Sequence, residues 1–193
     1  MMDICILTTG GTIDKDYPRS TGGYAFEINE PAVGRILESY QSHYKQNEKS
    51  IIPYEVISVC KKDSTEITDD DRQTLCDIIA KSEKQRFLIT HGTDTIIHTA
   101  RYIQNNGCCT LKNKRKMVVC TGAMKPERFK DSDADFNIGG SIVALRMLPP
   151  SITTETSSVF ICMGGNLIDC VKCYRDQQTG EFLDSSMLPQ CIE

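Results

Sequence analysis

The chain has 193 residues, of which 39% are hydrophobic and 25% are charged. This length suits a single well-buried domain over residues 1–193, and the near-average composition excludes a disordered or fibrous protein. The net charge of -4 offers no basic surface for a phosphate backbone, so nucleic acid is not an expected partner. No run approaches the roughly 20 apolar residues that cross a bilayer, so a membrane is not an expected partner either.

The N-terminus and the cysteines bear on the cellular compartment. The first residues lead directly into a strand-like segment, without the charged and long apolar stretches of a secretion signal. Ten cysteines in a chain of this length are too few for a disulfide-stapled fold, and reduced thiols are expected. The sequence therefore predicts a cytoplasmic protein.

Short apolar runs alternate with longer segments of helical periodicity. The predicted strands are residues 3–7, 54–60, 86–90, 116–120 and 158–162. The predicted helices are residues 31–44, 69–81, 96–105 and 136–148. Thr68 is the predicted N-cap of the second helix. Runs that are apolar on both faces and separated by helices favour a parallel sheet covered on both sides. We therefore expect an α/β fold, a flavodoxin-like three-layer sandwich with a mainly parallel sheet.

Polar clusters follow four of the predicted strands, at residues 8–12, 61–64, 91–95 and 121–124. The carboxyl ends of parallel strands form one rim, where ligands bind beside helix N-termini. The clusters hold hydroxyls, carboxylates and glycines, and glycine lets backbone N–H groups approach a ligand. Residues 14–23 are polar and aperiodic, which predicts a mobile loop after the first strand. Together these features predict a small-molecule active site.

Hydroxyl chemistry is the first candidate for this rim. A hydroxyl becomes a nucleophile when a neighbouring group takes its proton, and backbone donors must then hold the oxyanion. The Gly-Gly-Thr turn ending at Thr12 can supply both a hydroxyl and donors. Thr93 and Asp94 place a second hydroxyl beside a carboxylate, which either caps a helix or binds a substrate ammonium group. His91 is expected to be a packed, hydrogen-bonded side chain rather than a general base.

Three sequence blocks resemble the signature motifs of the bacterial-type L-asparaginase family. They are TTGGTI at residues 8–13, HGTDT at 91–95, and TGAMKP at 121–126 with Asp133, Phe136 and Asn137 behind it. In this order the blocks run from residue 4 to about residue 182, nearly the whole chain. The resemblance is to the short, single-domain asparaginase-like proteins, and it implies the fold of the family's N-terminal domain.

The resemblance implies an amidohydrolase that converts asparagine to aspartate and ammonia through an acyl-enzyme. Thr12 would be the nucleophile, and Thr93, Asp94 and Lys172 would form the proton relay. Arg175 stands at the ungapped position of that lysine, but Lys172 is preferred because a guanidinium effectively cannot lose its proton. Tyr24 would be the lid tyrosine that orients the nucleophile, with Tyr17 as its competitor.

The resemblance also implies how the substrate is held. Backbone N–H groups near Thr12 and Ala123 would hold the oxyanion. The family's second strand ends in a Ser-Gln pair, whereas this chain has Lys61-Lys62-Asp63-Ser64. The expected substrate-binding residues are Gly11, Asp63, Ser64, Gly92 and Ala123.

No cofactor or metal is expected, and Cys170 and Cys173 are expected to be ordinary thiols although they form a C-x-x-C. The family likeness implies a homo-oligomer with the site near an interface. Longer family members continue into a second domain that completes a neighbouring site. An alternative is therefore an amino-acid-binding or regulatory protein with weak or no turnover. Another is a hydrolase of glutamine or of amidated tRNA, because one methylene discriminates by only about 1–3 kcal/mol.

Overall fold

The computed structural model describes residues 3–17, 26–42, 52–111, 114–148 and 158–187. The strands are β1 (Ile4–Gly10), β2 (Lys15–Asp16), β3 (Glu27–Ile28), β4 (Tyr54–Lys62), β5 (Arg86–Thr90), β6 (Thr110–Leu111), β7 (Lys114–Arg115), β8 (Met117–Thr121), β9 (Val159–Met163), β10 (Asn166–Asp169), β11 (Cys173–Arg175) and β12 (Phe182–Asp184). The helices are α1 (Ala32–Ser42), α2 (Asp69–Lys81), α3 (Ile96–Asn106) and α4 (Ala134–Met147), with 3-10 turns η1 (Thr12–Asp14), η2 (Ser64–Glu66) and η3 (Ser185–Met187). Among the described helices, none has the length and apolar character to cross a membrane.

The central sheet has six strands in the order β10-β9-β8-β5-β1-β4. Five of them pair in parallel, and β10 pairs antiparallel to β9 at one edge. Taken in chain order, the five parallel strands have the arrangement 2-1-3-4-5, which is the flavodoxin-like order. The predicted α/β fold with a mainly parallel sheet is therefore confirmed.

Helices cover both faces of the sheet, and alternate strand residues supply the two cores. Cys5 and Leu7 of β1 join the core formed with α2 and α3. Ile4 and Ile6 of the same strand join the core formed with α1 and α4. All four side chains are at most 1% exposed. A strand that is apolar on both faces requires this double cover, as the sequence pattern indicated.

The predicted elements agree with the structure except at the edges of the sheet. The helix predicted at residues 69–81 has the bounds of α2, and the Thr68 hydroxyl accepts from the Asp71 N–H at 3.3 Å, which confirms the N-cap. The strand β4 is an edge strand with an exposed run and is not buried on both faces. The antiparallel β10 was not predicted. Of the predicted loop at residues 14–23, the described part pairs β2 with β3, and residues 18–25 lie outside the described ranges.

Two buried threonine hydroxyls in the sheet, those of Thr8 and Thr90, have no hydrogen-bond partner among the described residues. They belong to neighbouring positions of β1 and β5, and the next position across the sheet is Thr121 of β8. The Thr121 hydroxyl, by contrast, donates to the Cys162 carbonyl at 2.7 Å. The three threonines therefore share one environment but differ in hydrogen bonding.

We expect Thr90→Val to raise the free energy of unfolding by about 1 kcal/mol, because it replaces an unpaired buried hydroxyl with a methyl group of similar shape. Thr121→Val, the matched control, is expected to lower it by about 1–3 kcal/mol because it leaves the Cys162 carbonyl without its donor. Denaturant unfolding of both variants measures the difference. Equal destabilisation by the two would contradict the assignment.

Candidate active site

The residues that follow four parallel strands meet at one rim of the sheet. Thr12 lies in η1 after β1, Ser64 begins η2 after β4, Thr93 follows β5, and Ala123 follows β8. Ser64, Thr93 and Ala123 are buried, and Thr12 is half-buried. The predicted rim therefore exists, and these four residues lie on it.

Contacts between glycines bring the turns after β1 and β5 together. A Cβ atom added to Gly11 would lie 2.4 Å from both the Cα and the N of Gly92. A Cβ atom added to Gly92 would lie 2.7 Å from the Cβ of Ser64. Since only glycine allows such close backbone approach, Gly11 and Gly92 set the spacing between Thr12, Ser64 and Thr93.

The turn after β8 is held against the same rim by α4. The Asp133 carboxylate accepts from the Met124 N–H at 2.9 Å and from the Asn137 side-chain amide at 2.8 Å. Asn137 also donates to the Gly122 carbonyl at 3.0 Å. These bonds fix the backbone on both sides of Ala123 and explain why the third sequence block contains an aspartate and an asparagine.

The turn that carries Thr12 is anchored by Asp14. This side chain is 3% exposed, and its Oδ1 accepts from the Ala32 N–H at 2.8 Å, at the start of α1. Its backbone carbonyl accepts from Asn29 N–H, and its own N–H donates to the Gly11 carbonyl. Burial raises the pKa of Asp14 to about 7. The position of Thr12 is thus tied to the first turn of α1 through one buried carboxyl group.

This pKa predicts a pH dependence of stability that one substitution removes. The carboxyl ionises near pH 3.8 when exposed and near pH 7 in the folded chain, so the folded state holds more protons between these values. The free energy of unfolding should then fall as pH rises through this window, by up to about 1.4 kcal/mol per pH unit. Asp14→Asn keeps an acceptor for the Ala32 N–H but cannot titrate.

We expect the Asn variant to lose this slope. Urea unfolding of the native chain and the variant, at several pH values across the window, gives the difference between them. Parallel pH profiles for the two proteins would show that Asp14 is not the titrating group.

His91 is a structural residue at the rim. It is fully buried, and its Nδ1 lies 2.8 Å from the Gly92 carbonyl while its Nε2 lies 2.9 Å from the Thr99 hydroxyl. Thr99 in turn accepts from Arg72 Nε at 3.1 Å, which leaves its hydroxyl proton to donate to Nε2. Burial, with a smaller contribution from the Arg72 charge, lowers the pKa of His91 to about 4. The neutral ring therefore positions Gly92, in agreement with the structural role expected from the sequence.

The turn between β5 and α3 does not use Thr93 or Asp94 as a helix cap. The N-cap of α3 is Thr95, and no side-chain capping bond forms there. The Thr95 hydroxyl donates instead to the Ser64 carbonyl at 2.6 Å. Thr93 and Asp94 are therefore free of a capping role.

Asp94 forms an ion pair with Arg175 across the rim. Arg175 Nη1 lies 2.7 Å from Asp94 Oδ1, although the two residues are 81 positions apart in the chain. Arg175 belongs to β11, which pairs with β12, and its Nε donates to the Gly180 carbonyl at 3.3 Å. Its guanidinium carbon also lies 5.8 Å from the centre of the Phe182 ring. The β11–β12 hairpin thus holds the guanidinium against Asp94.

A cavity of about 350 Å³ lies over this ion pair, with Thr93, Asp94 and Arg175 among its lining residues. Lys172, predicted for the relay, does not line this cavity. It lies in the exposed turn before β11. The structure therefore brings Arg175, and not Lys172, to Asp94.

The other predicted binding residues differ in their contacts. The Asp63 carboxylate is paired with Lys15 at 2.8 Å, which lowers its pKa. Tyr17 is 67% exposed, and its ring packs against Phe26 at a centroid distance of 5.3 Å. Tyr24 lies outside the described residues.

Of the two C-x-x-C cysteines, Cys173 lines the cavity over the ion pair of Asp94 and Arg175, and Cys170 is not among the lining residues. Cys170 and Cys173 are buried free thiols, and burial raises the pKa of Cys173 to about 12. Across the described ranges, no group of three or more potential metal ligands is arranged to hold an ion.

Comparison with known proteins identifies the family. The model described as "Asparaginase, N-terminal" matches residues 3–181. L-asparaginase 2 of Escherichia coli is 29% identical over 143 residues, covering 73% of this chain and 38% of that protein. Glutaminase-asparaginase of Acinetobacter glutaminasificans is 22% identical over 169 residues, covering 86% of this chain and 47% of that protein.

A solved structure shares the fold. The thermostable L-asparaginase from Thermococcus kodakarensis superposes with a TM-score of 0.72 at 22% identity, over 95% of this chain and 51% of that one. The chain thus spans about half the length of these relatives, or less. It belongs to the asparaginase family and corresponds to the family's N-terminal domain.

Proposed function

We propose that this chain is an amidohydrolase that converts L-asparagine to L-aspartate and ammonia. The observation that carries the proposal is the contact between the Gly11 and Gly92 backbones, which sets the Thr12 and Thr93 turns side by side on one rim. Two hydroxyls and a carboxylate beside glycine-containing turns are the groups that nucleophilic attack on an amide requires.

In this mechanism the Thr12 oxygen attacks the side-chain amide carbon of the substrate. The Thr12 N–H begins a 3-10 turn and so has no acceptor within that turn, which leaves it, with the Ala123 N–H, to hold the oxyanion. The C–N bond breaks, the nitrogen leaves as ammonia after taking up a proton, and an acyl-threonine ester remains. Water then hydrolyses the ester, releases aspartate and restores the Thr12 hydroxyl.

The neighbouring groups have supporting roles in the proposal. Thr93 and Asp94 relay protons to and from the reacting atoms, and Tyr24 orients the nucleophile. Gly11, Gly92 and Ser64 shape the floor of the site. Asp63, held by Lys15, offers a carboxylate near the end of β4 for the substrate's amino-acid end.

Arg175 changes what can be expected of the relay. A guanidinium stays protonated, so Arg175 can orient Asp94 through their ion pair but cannot accept the proton of a threonine. The relay role of Lys172 stays a prediction. This ion pair favours a second candidate function, in which the chain binds an amino acid at this rim with little or no turnover.

The proposal also covers the choice of substrate, the oligomeric state and the cellular compartment. Asparagine is proposed over glutamine, as the primary substrate of a homo-oligomer that needs no cofactor. The nine cysteines of the described residues are free thiols, which supports a reducing, cytoplasmic setting.

The deciding experiment is ammonia release by the purified chain from asparagine and, separately, from glutamine. Release from asparagine supports the amidohydrolase, and faster release from glutamine would reassign the substrate. If neither amide releases ammonia, calorimetric titration with asparagine and aspartate follows. Binding without release supports the second candidate, whereas neither binding nor release contradicts both.

A further inference from the structure

The cavity over the Asp94–Arg175 ion pair is lined by more positive than negative charge. Its charged lining residues are Arg101, Arg175 and Asp94, so two guanidinium groups accompany one carboxylate around a volume of about 350 Å³. Thr93 and Asp94 line this cavity and also lie on the rim, whereas Thr12 does not line it. The excess of one positive charge favours a ligand that carries a single negative charge.

Asp94 engages only part of the Arg175 guanidinium. Nη1 of Arg175 lies 2.7 Å from Asp94 Oδ1, and Nε donates to the Gly180 carbonyl at 3.3 Å. A guanidinium carries five N–H donors in a planar fork. Nη2 of Arg175 has no hydrogen-bond acceptor among the residues that the structure describes. Arg175 therefore has donors left for a second acceptor.

Arg101 brings a second guanidinium to the cavity without a carboxylate of its own. Its Nε donates to the Cys170 carbonyl at 3.0 Å, and its Nη2 donates to the carbonyls of Val171 and Cys173 at 3.3 and 2.8 Å. Within the described ranges, no carboxylate forms an ion pair with Arg101. Since Cys173 lies two residues before Arg175 in β11, one strand anchors both guanidinium groups.

Both arginine side chains are held in place by the protein itself. The β11–β12 hairpin holds Arg175 through the Gly180 carbonyl and the Phe182 ring, and three carbonyls hold Arg101. A free surface arginine loses rotamer entropy when it binds a ligand, whereas one that is already held loses less. Anchored guanidinium groups with unused donors are therefore suited to binding an anion.

We propose that this cavity binds the carboxylate group of a small molecule, with Arg175 and Arg101 as its two positively charged residues. A carboxylate matches the planar fork of a guanidinium, and Asp94 shows that Arg175 already accepts one such partner here. A single negative charge also neutralises the cavity. A phosphate dianion would instead leave a net negative charge beside Asp94, so a carboxylate is the better match.

Two kinds of molecule can supply this carboxylate. One is asparagine itself, through its α-carboxylate, because Thr93 and Asp94 belong to both the cavity and the rim. This case rests on the proposed function. The other is a separate small carboxylate that binds beside the substrate. In either case, binding to the cavity does not require that the chain hydrolyses amides.

Calorimetric titration of the purified chain with succinate and with succinamide tests the site. Succinamide is the uncharged diamide of succinate, so the two molecules differ in charge but hardly in size. Low ionic strength is used, because salt screens ion pairs that are open to solvent. We expect succinate to bind, and succinamide to bind at least about tenfold more weakly.

Three glutamine variants locate the binding site. Arg175→Gln and Arg101→Gln should each raise the dissociation constant for succinate about tenfold or more. Arg146→Gln is the matched control: it also removes an exposed positive charge, but from α4, which packs on the other face of the sheet and does not line the cavity. The control should leave the constant unchanged.

Two further measurements separate lost binding from lost folding. Circular dichroism shows whether each variant is folded. Arg101→Lys keeps the positive charge but lacks the planar fork, so it should retain part of the binding that Arg101→Gln loses. The comparison of succinate with succinamide uses the native chain and does not depend on any variant.

Competition identifies the source of the carboxylate. If saturating succinate prevents asparagine from binding, the cavity holds the α-carboxylate of the substrate. The α-amide of asparagine should then bind weakly, and Arg175→Gln should not weaken it further. If asparagine binding is absent or unchanged by succinate, the cavity holds a separate carboxylate. Either result supports the site.

Other outcomes would overturn the proposal. These are an absence of succinate binding, equal binding of succinate and succinamide, equal effects of the three glutamine variants, and binding of inorganic phosphate but not of succinate. Ammonia release without succinate binding would leave the proposed function standing and remove the carboxylate site. Succinate binding without ammonia release would do the reverse.

Discussion

Thr12→Ala is expected to abolish ammonia release from asparagine, lowering kcat/KM by at least about a thousandfold, because it removes the only atom of residue 12 that can form the acyl-enzyme. The fold should survive, since Thr12 is half-buried and its turn is held by backbone bonds of Asp14 rather than by its own side chain. Thr12→Ser keeps a hydroxyl on the same turn and should retain part of the activity.

Steady-state ammonia assays of both variants, with circular dichroism and thermal unfolding as folding controls, check this expectation. A folded Thr12→Ala protein with native turnover would remove Thr12 from the mechanism. Thr93→Ala, tested alongside, should also abolish release, and if it alone did so, the nucleophile would have to be reassigned to Thr93.

Gly11→Ala is expected to be the most damaging small substitution in the rim. Gly11 has φ 88° and ψ -173°, a backbone conformation that is essentially restricted to glycine. The added Cβ would also lie 2.4 Å from the Gly92 backbone, so the turns that carry Thr12 and Thr93 must separate. We expect the free energy of unfolding to fall by about 3 kcal/mol or more, from strain and overpacking together.

Gly107→Ala separates these two causes. Gly107, after α3, also has a positive φ, of 75°, but an added Cβ meets no atom of the described residues within 4 Å. Its substitution should therefore lower stability by only about 1–2 kcal/mol. Urea unfolding of the two variants gives the comparison, and equal losses would show that the contact between Gly11 and Gly92 does not constrain the rim.

Much of the fold could be predicted from the sequence, because helix caps and the spacing of apolar residues indicate the same elements as the pattern of strands. α2 begins at a threonine cap and three acidic residues and shows helical spacing, so its bounds could be read directly. The two edge strands, β10 and β4, were harder to predict from the sequence. β10 follows β9 through two glycines with positive φ, and its exposed residues give no apolar run. β4 has the composition of a buried strand, but its edge position depends on the order of strands, which no local pattern encodes.

The residues that form the rim of the sheet could likewise be predicted, whereas the pairing of charged side chains at the rim could not. Thr12, Ser64, Thr93 and Ala123 meet because parallel strands end on one side, which follows from the strand pattern alone. The partner of Asp94 depends on how the β11–β12 hairpin turns back over the rim. Lys172 and Arg175 are three residues apart in sequence, and only the hairpin determines which one faces Asp94.

The place of β1 inside the sheet has a consequence during synthesis. β1 is synthesised well before its neighbours β4 and β5, with Ile4 beside Tyr54 and Arg86. The apolar Ile-Cys-Ile-Leu run therefore lacks its sheet neighbours until β4 and β5 have been synthesised. Such long-range parallel pairing slows folding and leaves an aggregation-prone segment exposed. We therefore expect the strand that positions Thr12 to benefit from a chaperone until its two neighbours are available.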